Sequence, residues 1–97
     1  MIDYNIKISK TSKQWIKMSV FKSDNLTKNI IDSDLLICCA DFKKNKLNKY
    51  ISYYLCVDDE SYNARDIINT LIEDEWIIES EDNTSVMLST NALLRTL

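Results

Sequence analysis

The sequence predicts an α+β fold in which two helices cover one face of a small antiparallel sheet. Three observations support this prediction: apolar residues alternate with polar ones in the first segment, they recur at helical spacing in two later segments, and two strand-like runs lie between those segments. The predicted element order is β-α-β-β-α-β, followed by one short strand and a helical turn. With 97 residues, the chain is expected to form a single domain, 1–97, around one core.

The N-terminal third predicts a strand followed by helical structure. From Ile2 to Ser9, apolar and polar residues alternate strictly, which is typical of a half-buried strand. From Thr11 to Lys22, the apolar residues have the spacing of a helical stripe, and a further short helical turn is predicted from Leu26 to Ile31. The stripe of the first helix comprises Trp15, Ile16, Met18, Val20 and Phe21.

The middle of the chain predicts a β-hairpin. Leu35 to Phe42 is a continuous apolar run, so we expect a strand that is buried on both faces. Tyr50 to Val57 is the second strand, with Tyr53 on its core-facing side and Tyr50 and Tyr54 on the other. Asn45 to Asn48 closes the hairpin, because Asn tolerates the turn conformations that Gly usually supplies.

The C-terminal third predicts one helix, two short strands and a last helical turn. Ala64 to Trp76 has the clearest amphipathic pattern in the chain, and the acids of Asp58 to Ser61 fit a helix start. Trp76 to Ser80 and Thr84 to Ser89 are predicted strands joined by an acidic turn. Asn91 to Leu97 is predicted to be a final helical turn.

This element order is that of ferredoxin-like domains, in which Leu35 to Phe42 would lie at an edge of the sheet. An edge strand that is apolar on both faces needs a cover, so the sequence predicts either another element or a homodimer through this edge. The alternative is a winged-helix-like C-terminal third, since a helix ending in Leu71 to Ile78 runs into a short hairpin. The interval from Tyr50 to Ser61 is, however, too short for the two helices that precede such a hairpin.

The composition excludes most familiar enzyme sites. The chain has no Gly, Pro or His, so phosphate-binding Gly-rich loops, His-ligated metal sites and His-assisted nucleophiles are absent. We therefore predict no enzyme activity, no catalytic residues, no cofactor and no metal site. The odd set Cys38, Cys39 and Cys56 has no CxxC spacing and is expected to stay reduced, although two of these thiols could come within reach across the hairpin.

The strongest functional lead is an acidic cluster at the end of the Ala64 to Trp76 helix and in the turn that follows. Acids there oppose the helix dipole, so another reason for them is expected, such as a cationic partner. Carboxylates in an array can mimic nucleic-acid phosphates and occupy a basic groove of a nucleic-acid-handling enzyme. The predicted protein-binding residues are Glu73, Asp74, Glu75, Glu79, Glu81 and Asp82.

The alternative function is nucleic-acid binding by the basic and aromatic hairpin. Residues 1–50 carry ten Lys against five Asp, a charge of +5, and residues 51–97 carry ten acids against two Arg, a charge of −8. Lys interleaved with Tyr on a strand is similar in kind to the base-stacking surfaces of RNA-binding sheets. The predicted residues of this alternative are Lys43, Lys44, Lys46, Lys49, Tyr50 and Tyr54.

The sequence therefore predicts a small regulator or inhibitor that binds a protein partner. No apolar run approaches the roughly 20 residues that cross a bilayer, and the N-terminus lacks the order of a signal peptide, so we expect a cytoplasmic protein. Ten lysines against two arginines are typical of AT-rich genomes. Phages, viruses and other mobile elements with such genomes encode many proteins of this length, so the regulator could act in a host-cell cytosol.

Overall fold

The computed structural model describes residues 2–23 and 33–96, which form a curled antiparallel sheet of seven strands, a half-barrel, with two short α-helices. The strand order is β1-β2-β3-β4-β7-β6, and β5 pairs with β3 beside this path. The predicted ferredoxin-like fold is therefore wrong. The elements are β1 (Tyr4–Lys10), β2 (Trp15–Lys22), a 3₁₀ turn (Ser33–Leu35), β3 (Leu36–Lys44), β4 (Tyr50–Ser52), β5 (Cys56–Val57), α1 (Ala64–Glu73), β6 (Ile77–Glu79), β7 (Val86–Leu88) and α2 (Thr90–Arg95).

Strand β2 lies where a helix was predicted from Thr11 to Lys22, and this difference overturns the fold prediction. Ile16, Met18 and Val20 are at most 3% exposed, whereas Lys17 between them is exposed, so β2 buries every second residue as far as Val20, where the register shifts. The five apolar residues of this segment fit a helical stripe, but three of them, Ile16, Met18 and Val20, also fit the period of two of a strand. Pairing with β1 on one side and β3 on the other decides for the strand.

The predicted strand at Ile2 to Ser9 is confirmed as β1, and the predicted strand at Leu35 to Phe42 is confirmed as β3. Ile37 and Cys38 are both fully buried, so the start of β3 is covered on both faces as expected. However, β3 lies inside the sheet, between β2 and the strands β4 and β5. The predicted homodimer through its edge therefore loses its basis, because other described strands pair with β3 on both of its sides.

The predicted single strand from Tyr50 to Val57 is interrupted. Its ends are β4, which pairs with both β3 and β7, and β5, which returns to β3. Between them, the Ser52 hydroxyl donates a hydrogen bond to the Tyr54 carbonyl at 2.9 Å and holds a bend. Tyr53, which was expected on the core-facing side, is 74% exposed in this bend.

Both predicted hairpin turns are confirmed, and both use asparagine in the left-handed region. Asn48 has φ 62° in the β3–β4 turn, and Asn83 has φ 60° in the β6–β7 turn. Because β7 also pairs with β4, the second hairpin belongs to the large sheet and is not a separate wing. The winged-helix alternative is therefore also wrong.

The two helices are shorter than predicted and have polar caps. Helix α1 begins after Asn63, whose side chain accepts hydrogen bonds from the first-turn backbone, so the acids of Asp58 to Ser61 are not its cap. It ends at Glu73 and does not reach Trp76. The predicted last helical turn is confirmed as α2, with Ser89 as its N-cap.

The core lies between the inner face of the curled sheet and the two helices. Phe42 and Met18 are the largest fully buried side chains, and Ile67 and Leu71 of α1 pack in the same cluster. Among the described residues, no helix has both the length and the apolar character to cross a membrane. The predicted helical turn from Leu26 to Ile31 lies outside the described residues.

Candidate functional site

Two hairpin tips meet at one end of the sheet. The β1–β2 turn closes through a hydrogen bond from the Thr11 backbone N–H to the Trp15 carbonyl at 3.0 Å. The β3–β4 turn is held by the Asn45 side chain, whose oxygen accepts from the backbone N–H groups of Leu47 and Lys49 at 2.9 and 3.0 Å. The Lys44 N–H donates to the Gln14 carbonyl at 2.8 Å, so the two tips form one surface.

We call this surface the basic end, because its charged side chains are all lysines. Two adjoining grooves on it share Gln14, Lys44, Asn45 and Lys46, and no carboxylate lines either groove. The ion pairs found among the described residues are Lys22–Asp59 and Arg65–Glu79, so no ion pair compensates these lysines within that part of the chain. The basic end comprises Lys13, Gln14, Trp15, Lys43, Lys44, Asn45, Lys46, Lys49 and Tyr53.

Two aromatic side chains accompany the lysines. Trp15 is 40% exposed and faces Lys43 across the strands, with the Lys43 Nζ 5.8 Å from the centre of its ring. Tyr53 is 74% exposed and lines the same groove as Lys43 and Lys44. The basic end therefore combines positive charge with exposed aromatic rings.

The structure brings together only part of the predicted nucleic-acid surface. Lys43, Lys44 and Lys46 share a groove, and Lys49 is exposed in the same turn. Tyr50 is only 7% exposed and packs in the core, so it leaves the predicted stacking surface. Tyr54 is exposed but lines another cavity, together with Arg65 and Glu79.

Sequence reasoning missed five residues of the basic end: Lys13, Gln14, Trp15, Asn45 and Tyr53, of which Asn45 was predicted only as part of the turn. Trp15 was assigned to the apolar stripe of a helix, and Tyr53 to the core-facing side of an unbroken strand. The alternation of Ile16, Met18 and Val20 with polar residues was the signal that could have placed Trp15 on the outer face. The sequence contains no comparable signal for the bend that exposes Tyr53.

The six predicted acidic residues divide into two groups. Glu73, Asp74 and Glu75 lie at the C-terminal end of α1, whereas Glu79, Glu81 and Asp82 lie near its N-terminal end, where Arg65 contacts Glu79. Eight residues of α-helix separate Arg65 from Glu73, a distance of about 12 Å. The predicted array is therefore not one continuous surface.

Most of these carboxylates have partners within the chain. Glu79 makes two hydrogen bonds of 2.8 Å with the Arg65 guanidinium, which lowers the pKa of Glu79. Asp82 accepts from Ser80 and Thr84 in its own turn, and these bonds lower its pKa as well. Glu75 accepts from the Asn91 side chain at 2.8 Å. The fold itself accounts for these acids.

A groove that we call the acidic seam runs between β1 and the end of α1. Among the described strands, β1 pairs only with β2, so its other edge is free. Asp3, Glu73 and Asp74 line the groove, and no lysine or arginine lines it. The Tyr4 hydroxyl donates to Asp74 at 2.5 Å; burial and this hydrogen bond raise the pKa of Tyr4. The remaining lining residues are Ile2, Tyr4, Asn5, Ile6, Thr70 and Trp76.

The described residues offer no cluster of metal ligands, and their cavities differ widely in size. No group of three or more Cys, Asp or Glu side chains that could hold a metal ion occurs among them. The cavity beside Tyr54, Arg65 and Glu79 has a volume of 70 Å³, below the roughly 300–1,000 Å³ of small-molecule pockets, whereas the grooves at the basic end and the acidic seam are larger, at 570 and 660 Å³. We therefore take the basic end and the acidic seam as the candidate surfaces.

Comparisons with known proteins leave the function to be argued from these two surfaces. No protein-family model matches the chain, and neither a curated protein nor a solved structure matches it closely enough to assign it to a family.

Proposed function

We propose that the protein binds single-stranded nucleic acid at the basic end. The observation that carries this proposal is a set of five lysines without ion-pair partners in the described part of the chain, beside two exposed aromatic rings. Lysines attract the phosphates, and aromatic rings stack on bases of any sequence. Single strands expose their bases for such stacking, whereas a duplex hides them.

The charge distribution allows attraction to the strand only at short range. The whole chain has a net charge of −3, so it repels a polyanion at long range. At physiological salt, charges beyond about 8 Å are largely screened, so the lysines of the basic end dominate once the strand is in contact. We therefore expect moderate affinity without marked sequence preference.

Duplex reading by a helix has no support. The helix α1 carries acids near both ends, and carboxylates facing phosphates would repel them. No helix takes part in the basic end, which consists of two hairpin tips and the bend at Tyr53. The chemistry therefore favours a flexible strand over a groove of double-stranded DNA.

The test is fluorescence anisotropy with labelled ten-nucleotide oligouridylate and oligothymidylate at physiological salt, where distant charges are screened. Lys44→Gln/Lys46→Gln should weaken binding roughly tenfold, because two phosphate contacts are lost. The matched control is Lys7→Gln/Lys17→Gln, which removes the same charge from exposed positions on β1 and β2 and should change affinity less than about twofold. No binding by the wild type, or equal losses in both variants, would contradict the proposal.

We propose a second function, protein binding by the acidic seam, because the free edge of β1 lies inside an acidic groove. The hydrogen bond from the Ser23 N–H to the Asp3 carbonyl shows that odd-numbered residues of β1 face β2, so the backbone groups of Tyr4 and Ile6 point away from it. An extended peptide can add to such an edge as a strand, and Asp3 and Glu73 favour Lys or Arg on it. This proposal replaces the six-residue array with a smaller surface.

Calorimetric titration with a synthetic eight-residue peptide of alternating Lys and Val tests this second function. Asp3→Asn/Glu73→Gln should weaken binding about tenfold, and Glu60→Gln/Glu81→Gln is the control with the same change of charge at exposed positions elsewhere. A peptide of the same length with Glu in place of each Lys should not bind. Equal affinity for wild type and the seam variant would rule out the seam as the binding surface.

A further inference from the structure

The three cysteines differ sharply in their surroundings. All three are free thiols. Cys38 is fully buried in the core, Cys39 is half-buried, and Cys56 is exposed. Cys39 and Cys56 are direct partners in the ladder between β3 and β5, whereas Cys38 is opposite Val57. Two thiols therefore face each other on the outer side of the sheet, which neither the basic end nor the acidic seam uses.

The spacing of this pair suits a disulfide. Partners in an antiparallel ladder have their side chains on the same face, with Cα atoms about 5.5 Å apart in a hydrogen-bonded pair and about 4.5 Å apart otherwise. The Asp58 N–H donates to the Ile37 carbonyl at 2.8 Å, which marks that pair as hydrogen-bonded and, by alternation, also Cys39 with Cys56. Both separations fall within the roughly 4.4–6.8 Å that disulfides span. Cys38 points to the opposite face, so it cannot take the place of Cys39.

We propose that Cys39 and Cys56 form a reversible disulfide by exchange with a low-molecular-weight disulfide such as oxidised glutathione. The exchange at this modification site requires neither of the two proposed ligands. It goes beyond the expectation that the three cysteines stay reduced, whereas Cys38 remains a buried thiol of the core.

The exchange takes two steps. The exposed Cys56 thiolate attacks one sulfur of oxidised glutathione, forms a mixed disulfide and expels a glutathione thiolate, which takes up a proton. The Cys39 thiolate then attacks the Cys56 sulfur, closes the protein disulfide and expels the second glutathione. Two protein thiols are thereby oxidised by two electrons, and one oxidised glutathione is reduced to two molecules of the thiol.

The burial of the other thiols supports this order of attack. Burial raises the pKa of Cys38 to about 12, so this thiol stays protonated and unreactive. Burial and the neighbouring Cys56 raise the pKa of Cys39, so this thiol reacts more slowly with an external oxidant, and its position opposite Cys56 makes it the resolving thiol once Cys56 carries glutathione. Exposure makes Cys56 the thiol that meets the oxidant first.

Closing the disulfide would fasten β5, which is held to β3 by only two residue pairs. The segment that precedes β5 contains Tyr53 and Tyr54, both more than 70% exposed. Oxidation should therefore restrain this segment and raise the thermal unfolding midpoint, since the crosslink limits the unfolded chain.

The experiment is incubation of the folded protein with oxidised glutathione, acid quenching, and intact-mass and peptide mass spectrometry. The wild type should lose two hydrogens, carry no glutathione, retain one free thiol and give a Cys39–Cys56 peptide. Cys38→Ala should behave identically, whereas Cys39→Ser should stop at one glutathione on Cys56. If Cys56→Ser still lost two hydrogens, or if wild type retained glutathione on Cys56, the proposal would be overturned. Circular dichroism of each variant shows whether it is folded, and dithiothreitol should restore three thiols to the oxidised wild type.

Discussion

The basic end and the acidic seam lie at opposite ends of strand β1, yet the fold uses their charges differently. Asp3 precedes the strand and Lys13 follows it, and seven residues of strand span about 24 Å. At the seam, Asp74 accepts the Tyr4 hydroxyl and so helps to join α1 to β1. At the basic end, the lysines have no ion-pair partner in the described residues. Charges that the fold does not use are the better evidence of a ligand.

The same contrast explains why the predicted acidic cluster does not form one binding surface. Glu75, Glu79 and Asp82 each accept a hydrogen bond within the chain, so their positions follow from local structure. Sequence clustering joined Glu79 and Asp82 to Glu73, although the length of α1 keeps these two groups of acids apart. The excess of acid in the second half of the sequence therefore gives a smaller acidic surface than its charge of −8 suggests.

The largest expected effect comes from a residue on which both surfaces depend. Met18 is fully buried in β2, between the two ends of the sheet. Met18→Ala should lower the free energy of unfolding by about 2–5 kcal/mol, because it leaves a cavity in the core. Urea denaturation measures this loss.

Lys17→Ala is the control, because Lys17 is the exposed neighbour of Met18 on β2. This replacement should change the free energy of unfolding by less than about 0.5 kcal/mol. A small loss for Met18→Ala would contradict the alternating burial of β2. It would also argue against the position of β2 in the sheet that joins the basic end to the acidic seam.

A smaller effect separates stacking from charge at the basic end. Trp15→Ala should weaken oligouridylate binding about tenfold, because stacking of one base contributes roughly 1–3 kcal/mol. Trp15→Phe should retain most of the affinity. Fluorescence anisotropy measures both variants.

Leu47→Ala is the control for the loss of exposed apolar surface. Leu47 is 77% exposed in the adjoining turn and carries no ring. If its replacement weakened binding as much as Trp15→Ala, stacking would not explain the role of Trp15.

The smallest effect is a pH dependence near the acidic seam. Hydrogen bonds from Lys22 and Ser61 lower the pKa of Asp59 to about 2, from an ordinary value of 3.8. A carboxyl group with a lowered folded-state pKa stabilises the fold above its ordinary pKa, and this contribution is lost as the pH falls from 3.8 towards 2. Lys22 is the β2 partner of Tyr4, so acid should loosen the seam while leaving the lysines charged.

Thermal unfolding between pH 5 and 2 tests this dependence. Asp59→Asn should have a lower midpoint than wild type at pH 5, and the difference should shrink as the pH approaches 2. Asp58→Asn replaces the exposed neighbour and should follow the wild type. A constant difference across the pH range would show that Asp59 does not act through its charge.

The sequence allowed prediction of β1, β3, both hairpin turns and the two helices near Ala64 and Asn91. In these segments the hydrophobic period or the turn residues fit only one type of structure. It did not allow prediction of β2, because its apolar residues fit two periods and only pairing with both neighbours selects the strand. That error concealed Trp15 and placed β3 at an edge. The lysines of the site were predictable from the turn Lys43 to Lys49, but their approach to Lys13 depends on the β2–β3 register.

The dependence of oligouridylate affinity on salt tests the central claim, that the uncompensated lysines of the basic end bind phosphates, most directly. For a single strand, the slope of log affinity against log salt is about −0.7 per neutralised phosphate, so engagement of three to five lysines predicts roughly −2 to −3.5. Lys44→Gln/Lys46→Gln should reduce the slope by about 1.4, whereas Lys7→Gln/Lys17→Gln should leave it unchanged. A slope near zero for the wild type, or the same change in both variants, would contradict the account.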